Sequence, residues 1–173
     1  MTDGLDKVFI DFSCDKLQQH TERICDCLDE LDNDKIWSRG TQNENAIGNL
    51  VLHLCGNVRQ WIGFGVGGKP DIRERDLEFA SRGGIASGEL KDRLRAVVSD
   101  AVTILRGITP QRLEEVTMVQ SYEMPVLQAV YHVVEHFAGH AGQIIFSTKQ
   151  FTGRDLGFYS HLSSSKPQED KTP

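Results

Sequence analysis

Apolar residues recur at three- and four-residue steps through most of the chain, the spacing that lines one face of an α-helix. Phe9, Phe12, Leu17, Ile24, Leu28 and Leu31 mark a first long helix over 6–32. Ile47, Leu50, Val51, Leu54, Val58, Trp61 and Ile62 mark a second over 45–62, with Asn43 or Asn45 as its expected N-cap. Leu90, Leu94, Val97, Val98, Ala101 and Leu105 mark a third, with Ser87 as its expected cap. "TPQRLEE" gives a short helical turn that begins at Pro110. Pro125 opens a last long helix, which runs to about Gln150 and is stopped by Gly153. Alternation with a period of two is confined to "VTMVQSYEM".

Between the second and third helices, residues 63–86 hold six glycines and one proline around the charged stretch "KPDIRERDLEF". Connections this long in a compact domain are usually functional or mobile. The pattern predicts an all-α protein, a four-helix bundle with a long crossover loop between helices two and three. Residues 1–5 are expected to be a flexible N-terminus, 6–160 the bundle domain, and the polar 161–173 a disordered tail.

Composition narrows the function. At 173 residues the chain suits one domain with a real core. The net charge of −6 and the absence of a Lys/Arg cluster argue against a nucleic-acid partner. No window approaches the ~18 consecutive apolar residues of a membrane span, and the acidic N-terminus is no signal peptide. A cytoplasmic location is expected, with Cys14, Cys25, Cys27 and Cys55 as reduced thiols.

The chemistry gathers in "HVVEHFAGHAGQ". His132, His136 and His140 fall within an arc of about 80° on one helix. Val126, Val130, Val133, Phe137, Ala141 and Ile144 run beside them as an apolar face, whereas Glu135 is placed away from the histidines. Histidines four apart rise ~6 Å and can share one ion, but the outer two are ~12 Å apart, against metal–nitrogen bonds of ~2 Å. Two from this helix therefore need a third ligand from elsewhere. His53, in a stripe with Ala46, Asn49, Asn57 and Gln60, is the candidate.

Which two of the three remains open on geometry alone. "HVVEH" matches the H-x-x-E-H protease pattern, but the only later glutamate is Glu169 in the tail, and no sheet is expected. Di-iron chemistry needs Glu-x-x-His on two helices, a spacing absent here. Cys55, two residues from His53, lies ~160–200° around the helix and points away.

"NAIGNLVLHL" opening the second helix and "HFAGHAGQ" in the last, in that order, resemble the DinB/YfiT-like superfamily. "RERDLEF" resembles its branch of unknown function. The resemblance spans about residues 6–150. It implies a bundle holding one divalent metal through His53, His136 and His140, with His132 a neighbour rather than a ligand. Gln143 and Asn57 are candidates for hydrogen bonds behind the ligands, and Arg73 and Arg75 for recognising a substrate carboxylate.

A three-histidine site leaves positions open for water or substrate. The expected function is a metal-dependent enzyme acting on a small molecule, a thiol-dependent S-transferase or a hydrolase. Zinc or nickel is the first choice of ion, with manganese and iron open, and a low-molecular-weight thiol is a candidate cosubstrate. The alternative is a non-enzymatic module in which the ion only ties two helices together. A second apolar face on the last helix, Leu127, Val134, Ala138 and Ile145, together with the resemblance, predicts a homodimer.

Overall fold

Phe137, Leu17, Leu54, Ile62 and Leu94 are fully or almost fully withdrawn from solvent, and they come from four long helices that converge on one core. The computed structural model describes residues 4–163. The long helices are α1 (Leu5–Asp29), α3 (Ile47–Val58), α5 (Ser87–Gly107) and α7 (Val126–Thr152). Short helices α2 (Asn33–Ile36), α4 (Arg75–Ala80) and α6 (Pro110–Glu114) lie in the connections. The chain is therefore a predominantly helical bundle, with α1 against α5 and α7, and α3 against the same two.

Polar contacts give the directions. Arg95 to Glu22 and Ser87 to Leu28 set α5 antiparallel to α1. His20 beside Phe137 and Arg154 against Glu30 set α7 parallel to α1. Trp37, ahead of α3, donates to the Ile85 carbonyl just before α5, and Lys69, beyond the helical continuation of α3, reaches Asp100 late in α5, so those two are parallel and need the long crossover. The predicted core face of α7, from Val126 through Ile144, is buried at every position.

Several boundaries differ from the periodicity, each for a local reason. Helix α1 ends at Asp29 because Asp32 caps α2, its side chain accepting from the Lys35 N–H. Ala46, not Asn43 or Asn45, is the N-cap of α3; the Asn49 side chain instead folds back to accept from the Ala46 N–H at 3.2 Å. Ser87 does not cap α5 either. Its hydroxyl donates to the Leu28 carbonyl, and Ala86 is the N-cap. Gly153 ends α7 in the left-handed conformation expected of a helix stop, φ 65°.

Two larger differences shape the site. The second helix does not stop at Ile62 but continues as a π-helix through Arg59–Val66, a widened geometry common at functional sites. The expected loop 63–86 is thus shorter and carries α4. Residues 116–125 form an antiparallel hairpin, β1 (Val116–Val119) with β2 (Tyr122–Pro125), in register Val119 to Tyr122. Gln120 and Ser121 both have positive φ, as a two-residue hairpin turn requires. The hairpin packs on the π-helix at Gly65, whose carbonyl accepts from Thr117 Oγ1 at 2.6 Å. Among the described residues of the expected 161–173 tail, 161–163 belong to a 3₁₀ turn, Ser160–Ser163; the rest of it, and residues 1–3, lie outside the described part.

Candidate metal centre

His53 stands mid-way along α3 and is almost fully buried. His136 and His140 stand one turn apart on α7, half-buried and facing it. His53 Nε2 lies 3.1 Å from His136 Nε2, and His140 Nε2 lies 3.2 Å from the same atom. One nitrogen from each of the three falls within 4.8 Å of the others. The structure therefore brings together the three histidines that the resemblance selected and leaves His132 beside the group, its ring 5.7 Å from that of His136. His132 stacks on Trp61 at 4.4 Å between ring centroids and is outside the cluster.

The opposite nitrogens decide what the cluster can hold. His53 Nδ1 is 2.9 Å from Glu78 Oε2, and His140 Nδ1 is 2.8 Å from Gln143 Oε1. Both oxygens only accept, so both Nδ1 atoms carry the proton and both Nε2 atoms present lone pairs. Arg73 Nη2 also lies 3.1 Å from His53 Nδ1. With Nδ1 protonated, its donor is directed to Glu78 Oε2 at 2.8 Å instead. Lone pairs converging at these distances repel unless a cation or proton lies between them. Two nitrogens each about 2 Å from a common ion sit roughly 2.9–3.4 Å apart at octahedral to tetrahedral angles. The two observed separations fit that range, so the three side chains can hold one ion.

Burial favours the neutral form of His136 and His140. His136 is pushed down to about 3, first by burial and then by the charges of His140, His53, His132 and Arg73. Burial lowers His140 as well, against an opposing contribution from its Gln143 hydrogen bond. For Glu78 burial acts to raise the pKa, but hydrogen bonds from Arg73 and His53 outweigh it and hold the carboxyl below its ordinary range. Neutral imidazole is the form that binds metal.

Alongside the cluster opens a cleft of about 560 Å³. Its lining includes His53 and His136, the His132–Trp61 pair, and Tyr122 and Met124 of the hairpin. Asn57 is buried here, and its Oδ1 meets no hydrogen-bonding partner among the described residues, so it does not support a ligand histidine directly. Glu135, exposed on α7, also lines the cleft. Cys55 is buried elsewhere on α3, outside the histidine cluster, and burial pushes its thiol up to about 12.

The crossover segment borders the site. Phe79 of α4 packs on the His53 ring at 4.8 Å, and the Arg75 guanidinium lies over Phe79 at 5.0 Å. Arg73, expected to be available to a substrate, is 3 % exposed at its side chain and paired with Glu78 through Nε to Oε1 at 2.7 Å. Glu78 itself was missed by sequence reasoning. Its signal was an acid five residues after Arg73 in a charged loop, which periodicity does not distinguish from a solvated surface pair.

The profile of the family described as "Protein of unknown function (DUF1572)" matches residues 5–165, nearly the whole chain. The chain belongs to the DUF1572 family. Among curated proteins nothing matches it. Among solved structures, this DUF1572 chain is similar to a conserved protein from Enterococcus faecalis, with TM-score 0.71 and 14% identity, covering 83% of this chain and 97% of that one. It is also similar to the DinB-like protein YjoA from Bacillus subtilis, at TM-score 0.65 and 14% identity over 85% and 96% of the two chains. A mycothiol-dependent maleylpyruvate isomerase aligns at TM-score 0.62 and 12% identity, over 78% of this chain and 60% of the isomerase. These likenesses establish the DinB-like fold. No described helix is long and apolar enough to cross a membrane.

Proposed function

We infer that the protein binds one divalent cation through Nε2 of His53, His136 and His140 and uses it to act on a small molecule held in the adjoining cleft. The observation that carries this reading is the convergence of three histidine Nε2 atoms beside a cleft of about 560 Å³ that His53 and His136 line. When bound, such an ion supplies Lewis acidity toward an oxygen or a low-molecular-weight thiol. Thiol-dependent group transfer is the first reading and hydrolysis the second; the fold shared with a mycothiol-dependent isomerase supports the thiol. Zinc and nickel suit an all-imidazole set, with manganese and iron next.

The chain's own residues have separate tasks in this reading. Gln143 orients His140 and Glu78 orients His53, which leaves both Nε2 atoms free to coordinate. Trp61 and His132 exclude water from one wall and offer a flat apolar surface. Arg75 is the guanidinium that recognises a substrate carboxylate, because the charge of Arg73 is already matched by Glu78. Glu135 is the carboxylate at the cleft that can accept a proton from an incoming nucleophile. The protein works as a homodimer in the cytoplasm, without a nucleic-acid partner. Four buried, unpaired cysteines support the reducing compartment.

Cobalt substitution tests the reading. The visible spectrum of the cobalt-loaded protein is expected to change when glutathione, bacillithiol, mycothiol or a small anion is added, because positions on the ion are open. A spectrum indifferent to all of them would contradict the enzyme and leave an ion that only ties α3 to α7.

A further inference from the structure

We propose that Glu78 is a positioning residue for the histidine cluster, delivered by the crossover segment through a notch that Gly56 leaves open on α3. The proposal rests on the metal-site reading above. Among the described residues Glu78 is the one buried carboxylate, 8% exposed, and a buried charge persists only when it is matched. Its matching is complete. Arg73 Nε donates to Oε1 at 2.7 Å, Arg73 Nη2 to Oε2 at 2.8 Å, and His53 Nδ1 to Oε2 at 2.9 Å. Arg73 is held in turn by Gln60 Oε1 at 3.0 Å.

The backbone of α4 is tied down as firmly. Asn49 Nδ2 donates to the Glu78 carbonyl at 2.8 Å and to the Ser81 carbonyl at 3.0 Å, while its Oδ1 accepts from Arg39 at 2.6 Å. Arg39 also donates to the Phe79 carbonyl at 3.0 Å. Gly56, less than one turn beyond His53, supplies the space. A Cβ built there would overlap Glu78 Oε1 and stand 2.9 Å from Arg73 Nε. Any larger residue at 56 therefore lifts the carboxylate off His53 while leaving every histidine in the sequence.

The arrangement has a chemical consequence. A carboxylate accepts and cannot donate, so Glu78 fixes the His53 proton on Nδ1 and holds its Nε2 toward the other two histidines. Arg73 makes the carboxylate a weaker base, so that it orients the imidazole without taking its proton. Neither residue belongs to the three-histidine cluster itself. Partners of this kind typically change metal affinity by about 10- to 100-fold.

The test measures zinc affinity by competition with a chromogenic chelator and reads the His53 tautomer in metal-free, ¹⁵N-histidine-labelled protein. Circular dichroism confirms that each variant is folded. Glu78→Ala and Gly56→Ala are each expected to weaken zinc binding by about 10- to 100-fold. The double variant should be no weaker than the worse single one, since both act through one contact. Glu78→Gln keeps an acceptor oxygen and should recover most of the affinity, even where the alanine variants fold poorly. The wild type and Glu78→Gln should carry the His53 proton on Nδ1, and Glu78→Ala should lose that preference. Wild-type zinc affinity in Glu78→Ala, or equal losses in the Gln and Ala variants, would overturn the proposal. If the wild type binds no zinc, the metal-site reading fails instead, and the tautomer alone then decides whether Glu78 positions His53.

Discussion

His136 sits between His53 and His140, with its Nδ1 buried and unpartnered among the described residues. Its pKa, pushed down to about 3 in the folded chain, contrasts with an ordinary value near 6.5. Between those values the unfolded chain binds a proton that the folded chain refuses, so stability falls as pH falls across that window. Metal-free protein should accordingly show a urea midpoint that drops from pH 7 to pH 4. Glu78, held low, adds to the drop in the same direction. A His136→Gln variant should show a distinctly smaller drop; an equal one would contradict the assignment. At this scale the candidate histidines were legible because four-residue spacing on one helix and a small, amide-rich stripe on another are sequence-local, but the choice of His136 and His140 over His132 came from the family resemblance and not from the spacing. Glu78 and the burial of Arg73 were not, because they depend on how Asn49 and Gly56 receive a segment some twenty to thirty residues away.

The elements that shape the cleft are the π-helix and the hairpin laid against it. They meet at Gly65, where an added Cβ would stand 2.5 Å from Val119 Cγ2. Gly65→Ala should therefore push β1 away and destabilise the protein by about 1–3 kcal/mol, the usual cost of overpacking. Val119→Ala, which removes the opposing methyls, should make the double variant more stable than the sum of the two single losses predicts. Simple additivity in denaturant titrations would mean the two do not share a contact. The long helices were readable because one buried stripe repeats at the helical period. Helix ends were read less well, since the cap of α3 is Ala46 with Asn49 folding back onto its N–H, and Ser87 spends its hydroxyl on Leu28 rather than on a cap. The hairpin showed in the sequence only as the alternation in "VTMVQSYEM", with a turn, Gln120–Ser121, that lacks glycine.

At the scale of the whole molecule, the described residues include large apolar side chains that are exposed. Val134 and Ile145 of the second α7 face pack partly against the core, but Leu127, Tyr131 and Phe146 on α7 stay exposed, as do Leu5, Val8 and Phe12 on α1. Patches of this kind mark interfaces. Sedimentation equilibrium at micromolar concentration should give twice the 19.4 kDa chain mass; the single-chain mass, unchanged by dilution or added metal, would rule the dimer out. The same molecule stands or falls on one centre, where α3 and α7 are joined through three histidines. The most direct test is metal stoichiometry by elemental analysis of purified wild type and of His53→Ala, His136→Ala, His140→Ala and His132→Ala. About one ion per chain is expected in the wild type and in His132→Ala, with most of it lost in each of the other three. Metal retained in His140→Ala and lost in His132→Ala would contradict the account.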